Sequence, residues 1–170
     1  ASKEFCLLNG INLNDQLFLI GYSEGGYTTM AAHKMIEENL SNEFVITASA
    51  PCAGPYDLSG VMVDLMLSFE PYGQPYYLPF TVLAYQDKYN IVDDIGEYFT
   101  DYYAEILPPL FNGNHSAGEI NALMPSIPIE IFRSEVVDDF SVNMNHPLRV
   151  RLAENDLYNW MPESPMKIFH

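Results

Sequence analysis

Leu17-Phe18-Leu19-Ile20-Gly21-Tyr22-Ser23-Glu24-Gly25-Gly26 decides how this chain is read. An apolar, strand-like run ends in Gly-x-Ser-x-Gly and passes directly into a pattern in which Tyr27, Met30, Ala31 and Met35 recur at helical spacing. A serine at so sharp a strand-to-helix turn is held in a strained backbone conformation, and glycines two positions either side leave room for the strand and helix to approach. Ser23 is therefore the candidate nucleophile. Its hydroxyl is expected at the carboxyl end of the strand, with the backbone N–H of Glu24, at the helix N-terminus, aimed at the oxyanion of a tetrahedral intermediate.

With 10 Gly and 11 Ser in the chain, chance alone produces roughly 0.04 such pentapeptides at this length, so the bare motif is only moderately specific. Its flanks carry the weight. The bland alternative is a glycine-rich turn containing an ordinary serine.

The run Gly21-Tyr22-Ser23-Glu24-Gly25-Gly26-Tyr27, with Ala31-Ala32-His33-Lys34 and then Ala48-Ser49-Ala50-Pro51-Cys52-Ala53-Gly54-Pro55-Tyr56-Asp57-Leu58, resembles the α/β-hydrolase superfamily. More narrowly, it is similar to bacterial secreted esterases and lipases that carry a large helical cap insertion. Glu154-Asn155-Asp156-Leu157-Tyr158-Asn159-Trp160 and Pro165-Met166-Lys167-Ile168-Phe169-His170 resemble the end of that insertion and the next sheet strand. One departure is Glu24, where relatives often carry Gln. The position contributes its N–H, although a carboxylate there disfavours a nearby developing oxyanion.

The resemblance implies an α/β fold in which about three parallel strands of a partial sheet carry a large helical cap. Residues 1–57 form the core segment with the elbow, 58–162 the cap and 163–170 the return strand. It further implies a carboxylesterase- or lipase-like serine hydrolase that forms an acyl-enzyme on Ser23, takes a small-molecule ester or lipid-like substrate, needs no cofactor or metal, and is secreted or periplasmic. The triad of this fold runs Ser, then Asp or Glu, then His. The acid is expected after the strand near Met166, and the histidine later still. The chain thus reads as a central segment holding a nucleophile without its base, weakly active or inactive alone, and completed by a companion fragment or an oligomer. A noncatalytic hydrolase fragment and a serine peptidase of the same fold are the alternatives.

Could the chain hold its own triad? His33 lies about 15 Å along the helix that follows Ser23, at 1.5 Å per residue, and reads as a helix-surface or packing residue. His115 sits in Asn112-Gly113-Asn114-His115-Ser116, a loop by composition. His146 precedes Pro147 at a helix start, and His170 ends the presumed strand. Asp57 follows the second strand, where some hydrolase variants place the acid, and reads rather as an N-cap for a helix beginning near Leu58.

Strands are expected at about 16–20, 43–49 and 166–169, and the helix after Ser23 at about 24–39. A helix over residues 1–9 stops at Asn9-Gly10. From Leu58 to Pro162 strand signals largely disappear. Pro79, Pro128, Pro147 and the capping box Ser116-x-x-Glu119 mark short helices there. Eleven aromatic side chains between Phe69 and Tyr103 read mainly as packing of this region, with some facing a substrate cleft. Asp93-Asp94 and Asp138-Asp139 lack the spacing of a calcium loop and read as solvated surface.

Composition narrows the classes. A hydrophobic share of 48% belongs to a packed protein rather than a disordered one. The 23 acidic against 7 basic side chains, net −16, repel nucleic acid and anionic membranes. No run is long enough to span a membrane, and the first residues lack a signal-peptide pattern. Cys6 and Cys52 are too few for a disulfide framework and are expected as small buried thiols.

Overall fold

In the computed structural model, which describes residues 2–170, the apolar run before Ser23 becomes the strand β1 (Phe18–Tyr22) and the helical pattern after it becomes the long helix that begins at Glu24. A helix α1 (Ser2–Leu8) precedes them and is stopped by Gly10, whose φ of +67° lies in the left-handed region that glycine adopts without cost. The long helix, α2 (Glu24–Asn39), leads to a second strand, β2 (Ala48–Cys52), parallel to β1 with Phe18 opposite Ala48 and Tyr22 opposite Cys52. The chain divides into two units, one running from the start to Tyr56 together with Leu157–His170, the other comprising Asp57–Asp156.

Both strands start later than their propensities suggest. Glu43 and Phe44 look strand-forming, but their N–H groups donate to Leu40 O at 2.9 and 3.0 Å and close the turn that ends α2. The ladder opens only where Thr47 N–H reaches Leu17 O at 2.8 Å. Pairing thus falls on Ala-Ser-Ala-Pro-Cys, poor strand formers that tertiary context overrides.

Residues 166–169 return alongside β2 as two isolated parallel bridges, Ser49 to Met166 and Cys52 to Phe169, rather than as a continuous strand. Pro51 supplies the reason. Ser49 both donates to Pro165 O (3.0 Å) and accepts from Lys167 N–H (3.0 Å), whereas Pro51 accepts from Phe169 N–H (3.1 Å) but has no N–H to return. One rung is therefore missing in mid-ladder, and pairing resumes at Ala53 N–H to Phe169 O, 2.7 Å.

The two faces of this sheet differ. Ser49 and Pro51 are buried beneath α2, on the side where Gly21 approaches Thr29. On the opposite face Phe18, Ile20 and Tyr22 are 61%, 78% and 76% exposed, an unusual state for a parallel sheet, which normally has both faces covered.

The Asp57–Asp156 unit is helical: α3 (Val61–Met66), α4 (Tyr77–Tyr89), α5 (Asp101–Leu110), α6 (Ala117–Asn121), α7 (Ser134–Val142) and α8 (Pro147–Glu154), with 3-10 turns at Ile95–Glu97 and Pro128–Ile131. Its core gathers Val63, Val82, Phe99, Leu107, Ile131 and Leu152, nearly all without solvent contact. Phe99 and Phe132 stack at 5.3 Å and share a single antiparallel bridge, the only strand-like pairing among the described residues of this unit. The capping box at α6 is complete, with Ser116 Oγ accepting from Glu119 N–H (3.3 Å) and Glu119 Oε2 accepting from Ser116 N–H (2.7 Å). Pro147 is the first residue of α8. Of the aromatic run, Tyr98 and Phe99 are buried, whereas Phe69, Tyr77, Phe80 and Tyr102 are exposed.

The N-cap expected of Asp57 is only partly its own. Its carboxylate accepts from Gly60 N–H at 2.8 Å, but the helix begins at Val61, and the N–H groups of Leu58 and Ser59 donate instead to Asp156 Oδ1 at 2.8 and 2.9 Å. Ser59 Oγ donates to the other oxygen of the same carboxylate. Asp156 thus joins the two ends of this unit, a role that a sequence separation of nearly a hundred residues conceals.

Candidate active site

Ser23 stands at φ +58°, ψ −122°, a conformation that L-residues other than glycine seldom adopt. Three bonds hold it there: its N–H donates to Cys52 O (2.9 Å), and its carbonyl accepts from Gly26 N–H (2.9 Å) and Tyr27 N–H (3.1 Å). The side chain caps nothing in α2 and is exposed. The strain therefore does no work for the helix. It lifts the hydroxyl away from the helix N-terminus, where a serine would ordinarily accept an N–H.

The glycines do different jobs from those the motif suggests. A Cβ at Gly21 would lie 2.1 Å from Gly25 O and 2.6 Å from Thr29 Oγ1, so Gly21 is what lets α2 pack onto β1. A Cβ at Gly25 would meet nothing within 4 Å; it is Gly26, whose Cβ would fall 2.3 Å from Cys52 O, that brings α2 against the end of β2. The space is made by Gly21 and Gly26, not symmetrically about the serine.

Glu24 is the first residue of α2, so its N–H has no carbonyl one turn back to bond, and it donates to no other described residue. It is exposed beside Ser23, with the positive end of the helix dipole behind it. A donor in this position can serve an anion that develops at the serine.

None of the four histidines hydrogen-bonds Ser23. His33 has no solvent exposure, so of the two expected roles, helix surface or packing, it takes the second: its Nδ1 lies 2.7 Å from Ser49 Oγ and its Nε2 2.8 Å from Glu37 Oε1. His146 is buried in the other unit, its Nδ1 accepting from Leu148 N–H (3.3 Å) and its Nε2 lying 3.3 Å from the Tyr98 hydroxyl. Burial lowers its pKa, opposed by Asp139 and aided by Arg149. Burial likewise pushes Tyr98 up to about 12, with Asp139 adding to the effect. His115 and His170 are exposed. Asp57 is committed to the turn that it closes with Gly60.

Cys6 and Cys52 are both free and only half-buried, less enclosed than expected of small core thiols. No cluster of metal-ligating side chains exists among the described residues, and no helix among them is long and apolar enough to cross a membrane.

Comparison with solved structures gives this geometry a setting. The chain superposes on the ligand-bound form of the rice cell wall degrading esterase LipA from Xanthomonas oryzae with a TM-score of 0.89 and 32% identity, over 99% of this chain and 46% of that one. It matches the ligand-free esterase with a TM-score of 0.88 over the same shares. The chain has an α/β-hydrolase-like esterase fold. A candidate hydrolase from Legionella pneumophila superposes equally well, with a TM-score of 0.88, 25% identity and 99% of this chain on 45% of that one. The chain therefore spans about half the length of the esterases whose fold it shares. No family model matches it, and no curated protein does. The likeness survives in shape more than in sequence, as expected where the elbow demands a few specific residues and the helical region only apolar ones at the right period.

Two polar constellations that the structure shows were not legible in the sequence as such. The buried pair His33–Glu37 could have been found from its i, i+4 spacing on a helix, but its partners Ser49, Glu163 and Ser164 could not. Nor did any local signal mark Asp156.

Proposed function

We propose that this chain carries the nucleophile segment of a serine ester hydrolase, carboxylesterase- or lipase-like, acting on a small-molecule or lipid-like ester through an acyl-enzyme on Ser23. The observation that carries this reading is the positive φ of Ser23: backbone strain of about 1–3 kcal/mol at a non-glycine residue persists where the structure uses it. Ser23 Oγ attacks the ester carbonyl carbon, the Glu24 N–H stabilises the resulting oxyanion, and the C–O bond to the alcohol breaks. Water then attacks the acyl carbonyl and releases the acid and Ser23. The proton leaves Ser23 through a histidine held by a carboxylate, both from polypeptide outside these 170 residues, since every histidine here is either engaged elsewhere or unconnected to Ser23. The similarity to esterases supports a hydrolase; the chemistry of Ser23 is our extension of it. We further propose that more polypeptide, in the same chain or another, covers the exposed face of Phe18, Ile20 and Tyr22 and pairs with the free edge of β1.

The test is covalent. The intact native protein is incubated with a fluorophosphonate probe and its mass measured under denaturing and native conditions. A single adduct on Ser23, abolished by Ser23→Ala, is expected, together with hydrolysis of activated aryl esters. Cleavage of peptide bonds without esters would replace this reading by a peptidase, and an unlabelled protein would replace it by a noncatalytic hydrolase relative.

A further inference from the structure

Beneath the sheet, α2 carries a buried polar chain unconnected to the capping or chemistry of Ser23. His33 Nδ1 meets Ser49 Oγ of β2 at 2.7 Å, and its Nε2 meets Glu37 Oε1 at 2.8 Å. Glu37 does not stop there. Its Oε1 also accepts from Ser164 N–H at 2.7 Å and its Oε2 from Glu163 N–H at 2.9 Å. The Trp160 and His33 rings form a T-shaped pair with centroids 5.5 Å apart and an interplanar angle of 70°. His33 is wholly buried and Ser49 is 4% exposed.

The protons can be assigned. Burial pushes the Glu37 carboxyl up, but the bonds from Glu163 N–H, Ser164 N–H and His33 outweigh it and hold the group at about 2. An ionised carboxylate only accepts, so Nε2 of His33 carries a hydrogen. In the neutral ring Nδ1 then accepts from the Ser49 hydroxyl, which fixes tautomer and orientation together.

This hydrogen-bonded chain stands at the entrance to the last strand-like segment. Glu163 and Ser164 lead directly into residues 165–169, which pair with β2 through a ladder that lacks a rung at Pro51. A parallel ladder of four bonds with a gap specifies its register weakly, and a slip of one residue would turn every alternate side chain to the other face. The opposite edge of β2 ends at Cys52, whose carbonyl accepts the Ser23 N–H, while Cys52 itself bridges to Phe169. One residue thus separates the nucleophile's backbone from the incoming segment.

We propose that Glu37, oriented by His33, is a positioning residue: it clamps the amides of Glu163 and Ser164 and thereby fixes the register in which residues 165–169 meet β2 beside Ser23. The assignment of a catalytic consequence rests on the ester hydrolase reading; the clamp itself does not. Glu37→Gln keeps the side chain's size but turns an NH2 toward donors, leaving one of the two amides unpaired, and Glu37→Ala frees both.

Two readouts separate the clamp from its catalytic consequence. In amide hydrogen exchange, Glu163, Ser164, Lys167 and Phe169 are expected to exchange about tenfold or more faster in Glu37→Gln, while the β1 amides and the interior of α2 keep their protection. In catalysis on an activated aryl ester, kcat per fluorophosphonate-titrated site is expected to fall about tenfold with KM unchanged, measured where Trp160 fluorescence shows the protein fully folded. Titration removes the unfolded fraction, so a merely destabilising change would leave kcat per site intact. Unchanged exchange at residues 163–169 would overturn the clamp. Faster exchange with kcat per site unaltered would overturn the positioning role and leave a structural brace. A wild-type protein that neither labels nor turns over would remove the positioning role along with the hydrolase reading, whereas the exchange experiment would still decide the clamp.

Discussion

The asymmetry of the elbow glycines yields a sharp comparison, because the motif treats Gly21 and Gly25 as equivalent and the structure does not. An alanine Cβ at position 21 would sit 2.1 Å from Gly25 O and 2.4 Å from Gly25 C, both backbone atoms, where ordinary contact begins at 3.4 Å. Separating β1 from α2 by more than an ångström places Gly21→Ala at the upper end of overpacking costs, about 3 kcal/mol, reduced by a few tenths because alanine orders the unfolded chain. At position 25 no atom lies within 4 Å and the residue is in the first turn of α2, so alanine is expected to stabilise by about 0.5–1 kcal/mol through helix propensity. Gly26→Ala falls between, its 2.3 Å clash with Cys52 O offset by the same helical gain. The two extremes should therefore differ by about 3–4 kcal/mol, or roughly 6–16 °C in Tm for a protein of this size. Trp160 is the sole tryptophan and packs on His33 within the sheet-bearing unit, so urea unfolding followed by its fluorescence reports on the unit that the substitutions perturb. Equal destabilisation by Gly21→Ala and Gly25→Ala, at unchanged m-value, would refute the packing argument and restore the symmetric reading of the motif.

Other perturbations have equally definite expectations. Ser23→Gly should abolish fluorophosphonate labelling yet raise stability by about 1 kcal/mol in chemical denaturation, because glycine adopts φ +58° without strain. Asp156→Ala should lower the stability of the helical unit by about 2–3 kcal/mol, since the N–H groups of Leu58 and Ser59 and the Ser59 hydroxyl all lose their acceptor; far-UV circular dichroism on heating would show it. The lowered pKa of Glu37 means that its stabilisation is complete above its unfolded value near 4.5 and is lost as pH falls from there toward 2. Acid unfolding followed by Trp160 should therefore be shallower in Glu37→Gln over that window. His146, also lowered, is held neutral by burial, so the helical unit should begin to lose stability as pH drops below about 6.5. The decline should vanish in a folded His146→Asn variant, followed by thermal melts from pH 7 to pH 5.

How much of this was written in the sequence depends on how local the determining interaction is. The elbow was legible because it is made within ten residues: an apolar run, a serine forced to positive φ and a helix whose first turn comes at once. The bounds of α2, Glu24–Asn39, match the periodicity for the same reason, as does the capping box at Ser116 and Glu119, which closes over three residues. Strand bounds were poorly legible. The strand-forming run Glu43 to Thr47 is split: Glu43 and Phe44 close the turn off Leu40, Thr47 N–H only opens the ladder at Leu17, and pairing settles on Ala48–Cys52, where Gly26 lets α2 touch β2. Pro51 in particular argues against a central strand by any local rule, and the fold accommodates it by dropping one rung.

What the sequence concealed was the set of polar groups that hold distant segments together. Asp156 reaches Leu58 and Ser59 across 98 and 97 residues, and Glu37 reaches Glu163 and Ser164 across 126 and 127. Both carboxylates satisfy backbone N–H groups of irregular segments distant in sequence, and such groups would otherwise be left without partners at a cost of about 1–3 kcal/mol each. This explains why a chain so acidic overall can still bury or half-bury individual carboxylates: surface acids contribute solubility, whereas these two are stabilised by donors fixed in the backbone rather than by basic side chains, of which the chain has only 7. A scan for ion pairs would find Glu37 only through His33, and would miss its bonds to the Glu163 and Ser164 amides and all three bonds to Asp156. Asp156 stands at the end of the Asp57–Asp156 unit and the half-buried Glu37 at the approach to residues 165–169, and in both places the groups to be satisfied are N–H donors, which a carboxylate can accept and a basic side chain cannot.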